Sequence, residues 1–348
     1  MPGSGASTDV SAPLTLLAMA RAYRTSQLVY VAAKLGIADL LASGPKTCTD
    51  LAGALSASTD ALCRVMRGLE VAGIFTRRPD GRYELTDLSR PLLTDHPRSV
   101  RSGIIYVGEE QFRAWGGLLQ TVVTGAPAFR SLFGDPFDHY DRHPESAEVF
   151  DSWMARSSRS SAEGLSLFYA FPDTGQVVDV GGGEGVLLAA ILQPRPELSG
   201  CLLERASVIE KAKVVLAAAG LLDRCTLVAG DFRTEVPAGG DVYVLKNVLH
   251  DWDDAGAVAI LGACRKAMRL DSRLVVIQRT MPEDASNPGL LRSMVEADLM
   301  QLVYSGGRER TLGEYRALLS AVGLDMSLVM QSGGVTSLME ARPAGAAG

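Results

Sequence analysis

Two stretches of the chain hold residues whose types and spacing suit chemistry. The run VLKNVLHDWDD, residues 244–254, carries a histidine, His250, followed by three aspartates and a tryptophan. An imidazole titrates near neutrality, so at working pH it can take a proton from a hydroxyl. The competing reading is a core histidine that caps a strand. The run VVDVGGGEGVLLAAIL is a glycine-rich turn from strand to helix, where backbone amides can approach a ligand closely. A dinucleotide turn wants glycine at its first, third and sixth positions, and Val186 stands at the sixth. The pattern that fits is D-x-G-x-G-x-G: Asp179, Gly181, Gly183 and Gly185. An acid two residues before the first glycine suits a ligand with a cationic amino-acid tail and would repel a pyrophosphate.

Two further strand ends carry acids. Glu204 closes the second strand, where a carboxylate can hold both ribose hydroxyls. The third ends in AGDF, where Asp231 can accept from an adenine amino group and Phe232 can cover the ring. Strand-end acids are common caps, but their order at three successive strand ends describes a site for S-adenosylmethionine. A nicotinamide cofactor is the alternative.

These residues must be positioned by strands, and the pattern supplies them. QVVDV, GCLLE, CTLVAGD, DVYVLKNV and RLVVIQRT read as short strands, and helical patterns over 185–193, 206–219 and 253–269 separate several of them. The alternation predicts an α/β fold with a doubly wound parallel sheet. MSLVMQS and VTSLMEARP lie too close for a helical crossover and predict an antiparallel hairpin at the sheet edge. His250 then ends the fourth strand, beside the switch point, where ligands of open α/β sheets lie.

Upstream the grammar is helical. Residues 1–12 read as a disordered tail, and 13–42 as helix. Thr49 and Thr59 are expected to cap two short helices, and IFTRRPDGRYEL reads as a hairpin turning at Asp80-Gly81. Helix, helix, hairpin is a winged helix, whose obvious use is binding DNA. Between 46 and 95 the signs of charge cancel, and the would-be recognition helix DALCRVMRGLEVAG is largely apolar, which favours packing or dimerisation. Residues 100–170 are helical and rich in aromatics. His139 and His143 have the spacing of a helical metal pair, but no cysteine accompanies them, and a solvated surface pair is expected. The domain reading is a tail over 1–12, a winged-helix dimerisation domain over 13–95, a helical linker and pocket region over 96–172, and a donor-binding catalytic domain over 173–343.

Composition bounds the rest. A chain of 348 residues exceeds one ordinary core. A net charge of −6 disfavours nucleic acid, since phosphate binding needs a basic face. No apolar run approaches the ~20 residues of a membrane span. Cys48, Cys63, Cys201, Cys225 and Cys264 are scattered and odd in number, so reduced thiols in a cytoplasmic protein are expected, without zinc or disulfides.

Taken together, VFDSWM, DVGGGEG, AGDF, LKNVLHDWDD and GGRERTLGEY resemble the caffeic-acid type of S-adenosylmethionine-dependent O-methyltransferases, especially bacterial members acting on aromatic natural products. The likeness covers nearly the whole chain. It implies a homodimer whose N-terminal domain helps build the partner's substrate pocket, and a Rossmann-like C-terminal domain. It implies no metal. Carried over by motif, Gly181, Glu204, Asp231, Phe232 and Lys246 contact the donor, and His250 is the general base. Of the two acids that flank this histidine in plant members, one matches Glu309. The other falls at Gln278, where an amide can orient an imidazole but cannot stabilise its cation with a full charge. The resemblance implies an acceptor oxygen, phenolic or N-hydroxy. N-methylation on the same scaffold and a DNA-binding regulator are the rival readings.

Overall fold

A computed structural model describes residues 11–283, 287–331 and 336–345, with the backbone alone over 157–168. The chain forms two compact units, one ending at Phe112 and one beginning at Arg113.

In the first unit the expected tail lies outside the described residues up to residue 10, and Ser11 and Ala12 open the first helix. The helical stretch is three helices, Ser11–Arg21, Tyr23–Lys34 and Ile37–Ala42. Cys48–Ala54 and Thr59–Val71 follow, then β1 (Phe75–Arg77) paired antiparallel with β2 (Tyr83–Leu85). The helix–helix–hairpin order stands, but the caps are Thr47 and Ser58, not Thr49 and Thr59. A capping residue must stay extended so that its oxygen meets an amide two or three residues on. Thr47 (ψ 160°) and Ser58 (ψ 118°) do so, whereas Thr49 and Thr59 are already helical. A second correction concerns the thiols. The packed helix pair brings the Cα atoms of Cys48 and Cys63 to 5.5 Å, and the two are disulfide-bonded. Cys201, Cys225 and Cys264 are free thiols.

The second unit opens with helices, the longest of them Pro144–Phe168, and then builds the sheet. Its strands are β3 (Gly175–Val180), β4 (Leu198–Glu204), β5 (Cys225–Ala229), β6 (Val242–Lys246), β7 (Arg273–Arg279), β8 (Leu324–Gln331) and β9 (Thr336–Pro343). The order is β5-β4-β3-β6-β7-β9-β8. The first five are parallel, and β9 and β8 close one edge antiparallel. Central strands are apolar on both faces because helices cover both. Val177, Val242, Val244 and Ile277 pack against helices Val186–Leu192 and Ala206–Ala218. Their neighbours Val178, Tyr243, Leu245 and Val276 pack on the other face, against Asp254–Ala267 and Leu312–Ala321. The chain runs outward from β3 to β5 and returns to β6, so the switch point lies between β3 and β6.

His139 is not solvated. It is buried beside Phe129, Phe133 and Tyr140, because its helix, Pro136–Arg142, turns that face inward. Among the described residues no group of His, Cys, Asp and Glu is placed to hold a metal ion. Among the described residues no helix is long and apolar enough to cross a membrane.

Candidate active site

The glycine-rich turn leaves β3 at the switch point. Gly181, Gly183 and Gly185 all have positive φ (68°, 58° and 76°), a backbone region that side chains disfavour. A Cβ at Gly182 would lie 2.3 Å from Asp179 Oδ2, so the turn folds directly over that carboxylate. Asp179 is fully buried, and neither of its oxygens has a hydrogen-bond partner. Burial pushes its carboxyl up to about 7, partly opposed by the Lys246 charge and reinforced by Glu204. A buried acceptor without a donor is costly, and a cationic ligand supplies what is missing. Lys246 is the last residue of β6. Burial lowers its ammonium, and the Asp179 charge partly restores it.

Glu204 ends β4. Its side chain is 13% exposed, and Oε2 accepts from the Arg205 amide at 2.5 Å. Burial raises its carboxyl. Asp231 lies just past β5 and is gripped by Arg233, whose Nε donates to both carboxylate oxygens at 2.9 and 3.0 Å. Phe232 lies beside Gly181, with a ring carbon 3.3 Å from where a Cβ there would stand. Its ring meets Trp252 edge-on, centroids 6.4 Å apart. The turn, Asp179, Glu204 and Phe232 therefore fit the donor the sequence suggests, with a buried anion for an ammonium, a carboxylate for a ribose and an aromatic wall, while both oxygens of Asp231 accept from Arg233.

His250 is not on the strand. β6 ends at Lys246, Asn247 turns to positive φ (53°), and His250 sits in a short 3-10 turn, Leu249–Asp251. That turn is read by the segment 306–310. The Arg308 amide donates to the His250 carbonyl at 2.9 Å. Glu309 Oε1 lies 2.9 Å from His250 Nδ1. A carboxylate only accepts, so in the neutral imidazole Nδ1 carries the proton and Nε2 presents its lone pair. Asp251 Oδ1 stands 3.7 Å from Nε2, beyond hydrogen-bond range. Burial alone would lower the imidazole, but the Asp251 charge and the Glu309 hydrogen bond outweigh it, so the net shift is upward.

Gln278 makes no hydrogen bond to the imidazole. It is fully buried on β7 with neither amide atom hydrogen-bonded, while the ring nitrogens face Glu309 and Asp251. Asp251 and Gly307 are what the sequence reading missed. Asp251 had a signal, its adjacency to His250. Gly307 had none, because its role lies in a contact with a distant segment.

A Rossmann-like sheet with a glycine turn, three strand-end acids and an oriented histidine beyond its carboxyl edge defines a donor-dependent methyltransferase. Residues 115–325 match the O-methyltransferase domain and residues 17–95 the O-methyltransferase dimerisation domain. The chain is 40% identical to the phenazine O-methyltransferase PhzM of Lysobacter antibioticus, over 94% of this chain and 95% of that one. Among solved structures it is similar to the mitomycin 7-O-methyltransferase MmcR (TM-score 0.91, 36% identity, 96% and 98% covered). It is also similar to the O-methyltransferase NcsB1 from neocarzinostatin biosynthesis in complex with S-adenosylmethionine and a hydroxynaphthoic acid (TM-score 0.83, 33% identity, 92% and 96% covered). Relatives at 33% identity are named for N-methylation. The chain belongs to the O-methyltransferase family, whose methyl donor is S-adenosylmethionine.

Proposed function

We propose that this enzyme methylates a hydroxyl, phenolic or N-hydroxy, of an aromatic natural product, with His250 as general base. The observation that carries the reading is the Glu309–His250 bond, which fixes the ring through Nδ1 and leaves Nε2 to accept a proton. An aromatic ring nitrogen already presents its lone pair and needs no base. An oriented imidazole therefore favours oxygen over the nitrogen acceptors of some relatives. The aromatic class rests on relatives named for phenazine, naphthoate and hydroxybenzoate substrates.

In this reading the residues take the roles that the resemblance implies. Asp179 takes the donor's ammonium, Glu204 the ribose hydroxyls and Asp231 the adenine amino group. Phe232 covers the base, the amides of Gly181 and Gly183 line the turn, and Lys246 contributes charge beside Asp179. Bound S-adenosylmethionine supplies a methyl group on a sulfonium, a good leaving group that needs no acid. His250 Nε2 then removes the acceptor's proton, while Glu309 and Asp251 stabilise the resulting imidazolium. Placing the reactants in line contributes several kcal/mol, and base catalysis adds ~10²–10⁴-fold. The test is methyl transfer from ¹³C-methyl-labelled donor to hydroxylated phenazines, naphthoates and quinones. O-methyl carbon signals are expected, and transfer to ring nitrogen alone would overturn the reading.

Donor binding should depend on pH through Asp179. Its carboxyl titrates near 7 and must ionise to meet an ammonium. Below that value the empty site is protonated, so affinity for S-adenosylhomocysteine should rise from pH 6 to pH 8 and level off above. Titration calorimetry checks this, and Asp179→Asn should abolish the dependence. A flat wild-type profile would remove Asp179 from the ammonium site.

Assembly is read as a homodimer through the N-terminal unit, in the cytoplasm. The helix Ser11–Arg21 buries none of its residues and exposes Leu14, Leu16, Leu17 and Met19. Helices this short are marginal in water without a packed face. Light scattering at micromolar concentration should report a dimer, and Leu14→Glu with Leu17→Glu should shift it to monomer.

A further inference from the structure

Arg310 plays no part in the chemistry above, yet it is fully buried. Its Nε and Nη2 donate to Asp254 Oδ1 at 3.0 and 2.8 Å. The same guanidinium reaches two backbone carbonyls that bracket the histidine: Nη1 donates to Leu249 O at 3.0 Å and Nη2 to Trp252 O at 2.8 Å. Those are the first residue of the 3-10 turn and the residue that caps its end. Within the turn Leu249 O accepts from the Trp252 amide at 3.4 Å, and the guanidinium adds a shorter bond to the same oxygen.

Burying a guanidinium is expensive, and an apolar side chain of similar volume often serves stability as well or better. Its carboxylate partner does not explain the burial, because the Asp254 side chain is 62% exposed. What the planar fork provides is geometry: donors in fixed directions, on which the carbonyls of Leu249, Trp252 and Arg308 and a carboxylate converge. Arg310 also directly follows Glu309. The residue that holds the turn and the residue that holds the ring are thus neighbours on one short segment.

We propose that Arg310 is a positioning residue for proton removal, fixing the turn so that the His250 ring meets Glu309 and Asp251 in one orientation. The proposal rests on His250 being the base. When the guanidinium is replaced, the turn relaxes, the contacts that raise the imidazole loosen, and Nε2 leaves the line of the acceptor proton.

The test uses the full-length enzyme with one acceptor. Arg310→Lys keeps the charge and loses the fork. Its kcat should fall at least tenfold per folded enzyme, with unchanged affinity for S-adenosylhomocysteine. The acid limb of kcat/KM should move down toward that of an ordinary imidazole. Folded fraction is measured by titration with S-adenosylhomocysteine. A purely structural residue would lower the amount of active enzyme and leave the limb in place, and that result overturns the proposal, as does unchanged turnover. If Arg310→Lys does not fold, Asp254→Ala decides. It removes the outer anchor and should lower kcat with the same movement of the limb; an unmoved limb overturns the proposal. His250→Ala is run in parallel. If it keeps wild-type turnover, the base reading has failed. If it is impaired while the Arg310 and Asp254 variants behave as wild type, only the positioning role has failed.

Discussion

Replacing His250 with alanine should lower turnover by ~10²–10⁴-fold, the range that general base catalysis contributes. The affinity for S-adenosylmethionine should stay unchanged. The two effects separate because the imidazole faces Glu309 and Asp251, neither of which is among the acids proposed to hold the donor. Single-turnover rates with one acceptor, alongside calorimetric titration of the donor, measure both. A loss of donor affinity equal to the loss of rate would place His250 in the donor site. A rate within twofold of wild type would leave alignment of the reactants to carry the reaction.

Gly307→Ala should be nearly as damaging, although residue 307 touches no ligand in this account. A Cβ there would stand 1.9 Å from the His250 carbonyl oxygen and 2.5 Å from the Asp251 carbonyl carbon. Both are backbone atoms, so no rotamer change relieves the clash, and the turn or the 306–310 segment must move. Displacement of a catalytic group by about 1 Å can cost ~10²-fold in rate. Turnover should fall by about that factor, with stability reduced by ~1–3 kcal/mol for overpacking. Donor binding should survive, because the glycine turn over Asp179 belongs to a different part of the sheet edge. Normal turnover in a folded Gly307→Ala enzyme would mean that the clamp on the His250 turn is not needed for chemistry.

The glycine turn and the surroundings of His250 were legible in the sequence to different degrees. The sheet was readable because strands buried on both faces are unbroken apolar runs, and QVVDV and DVYVLKNV fall within one or two residues of β3 and β6. The turn over Asp179 was readable because three glycines at alternate positions have few other uses. The contacts of His250 were less so. Glu309 is 59 residues away in sequence, and resemblance, not spacing, pointed to it. Gln278 came from the same source, and its amide makes no hydrogen bond to the ring, since correspondence of position does not fix which side chain meets a ring nitrogen. Gly307 and Arg310 left no local trace, because their contacts are made to backbone atoms of another segment. The same holds for Cys48 and Cys63, brought together by the packing of two helices, and for His139, whose burial depends on which face of its helix turns inward.

The central claim is that a raised, Glu309-bound imidazole removes the acceptor proton. Its most direct test is the pH dependence of the single-turnover rate in wild type and Glu309→Gln, with an acceptor that does not titrate in the range. His250 is held above its ordinary value, so it stays protonated and incompetent to a higher pH than a free imidazole. The wild-type acid limb should therefore lie above the ordinary histidine range of ~6.5. Glutamine at 309 removes one of the charges that favour the imidazolium. The limb should move down, and the rate on the plateau should drop. A limb that stays in place, or moves up, would contradict the assignment of His250 as the base.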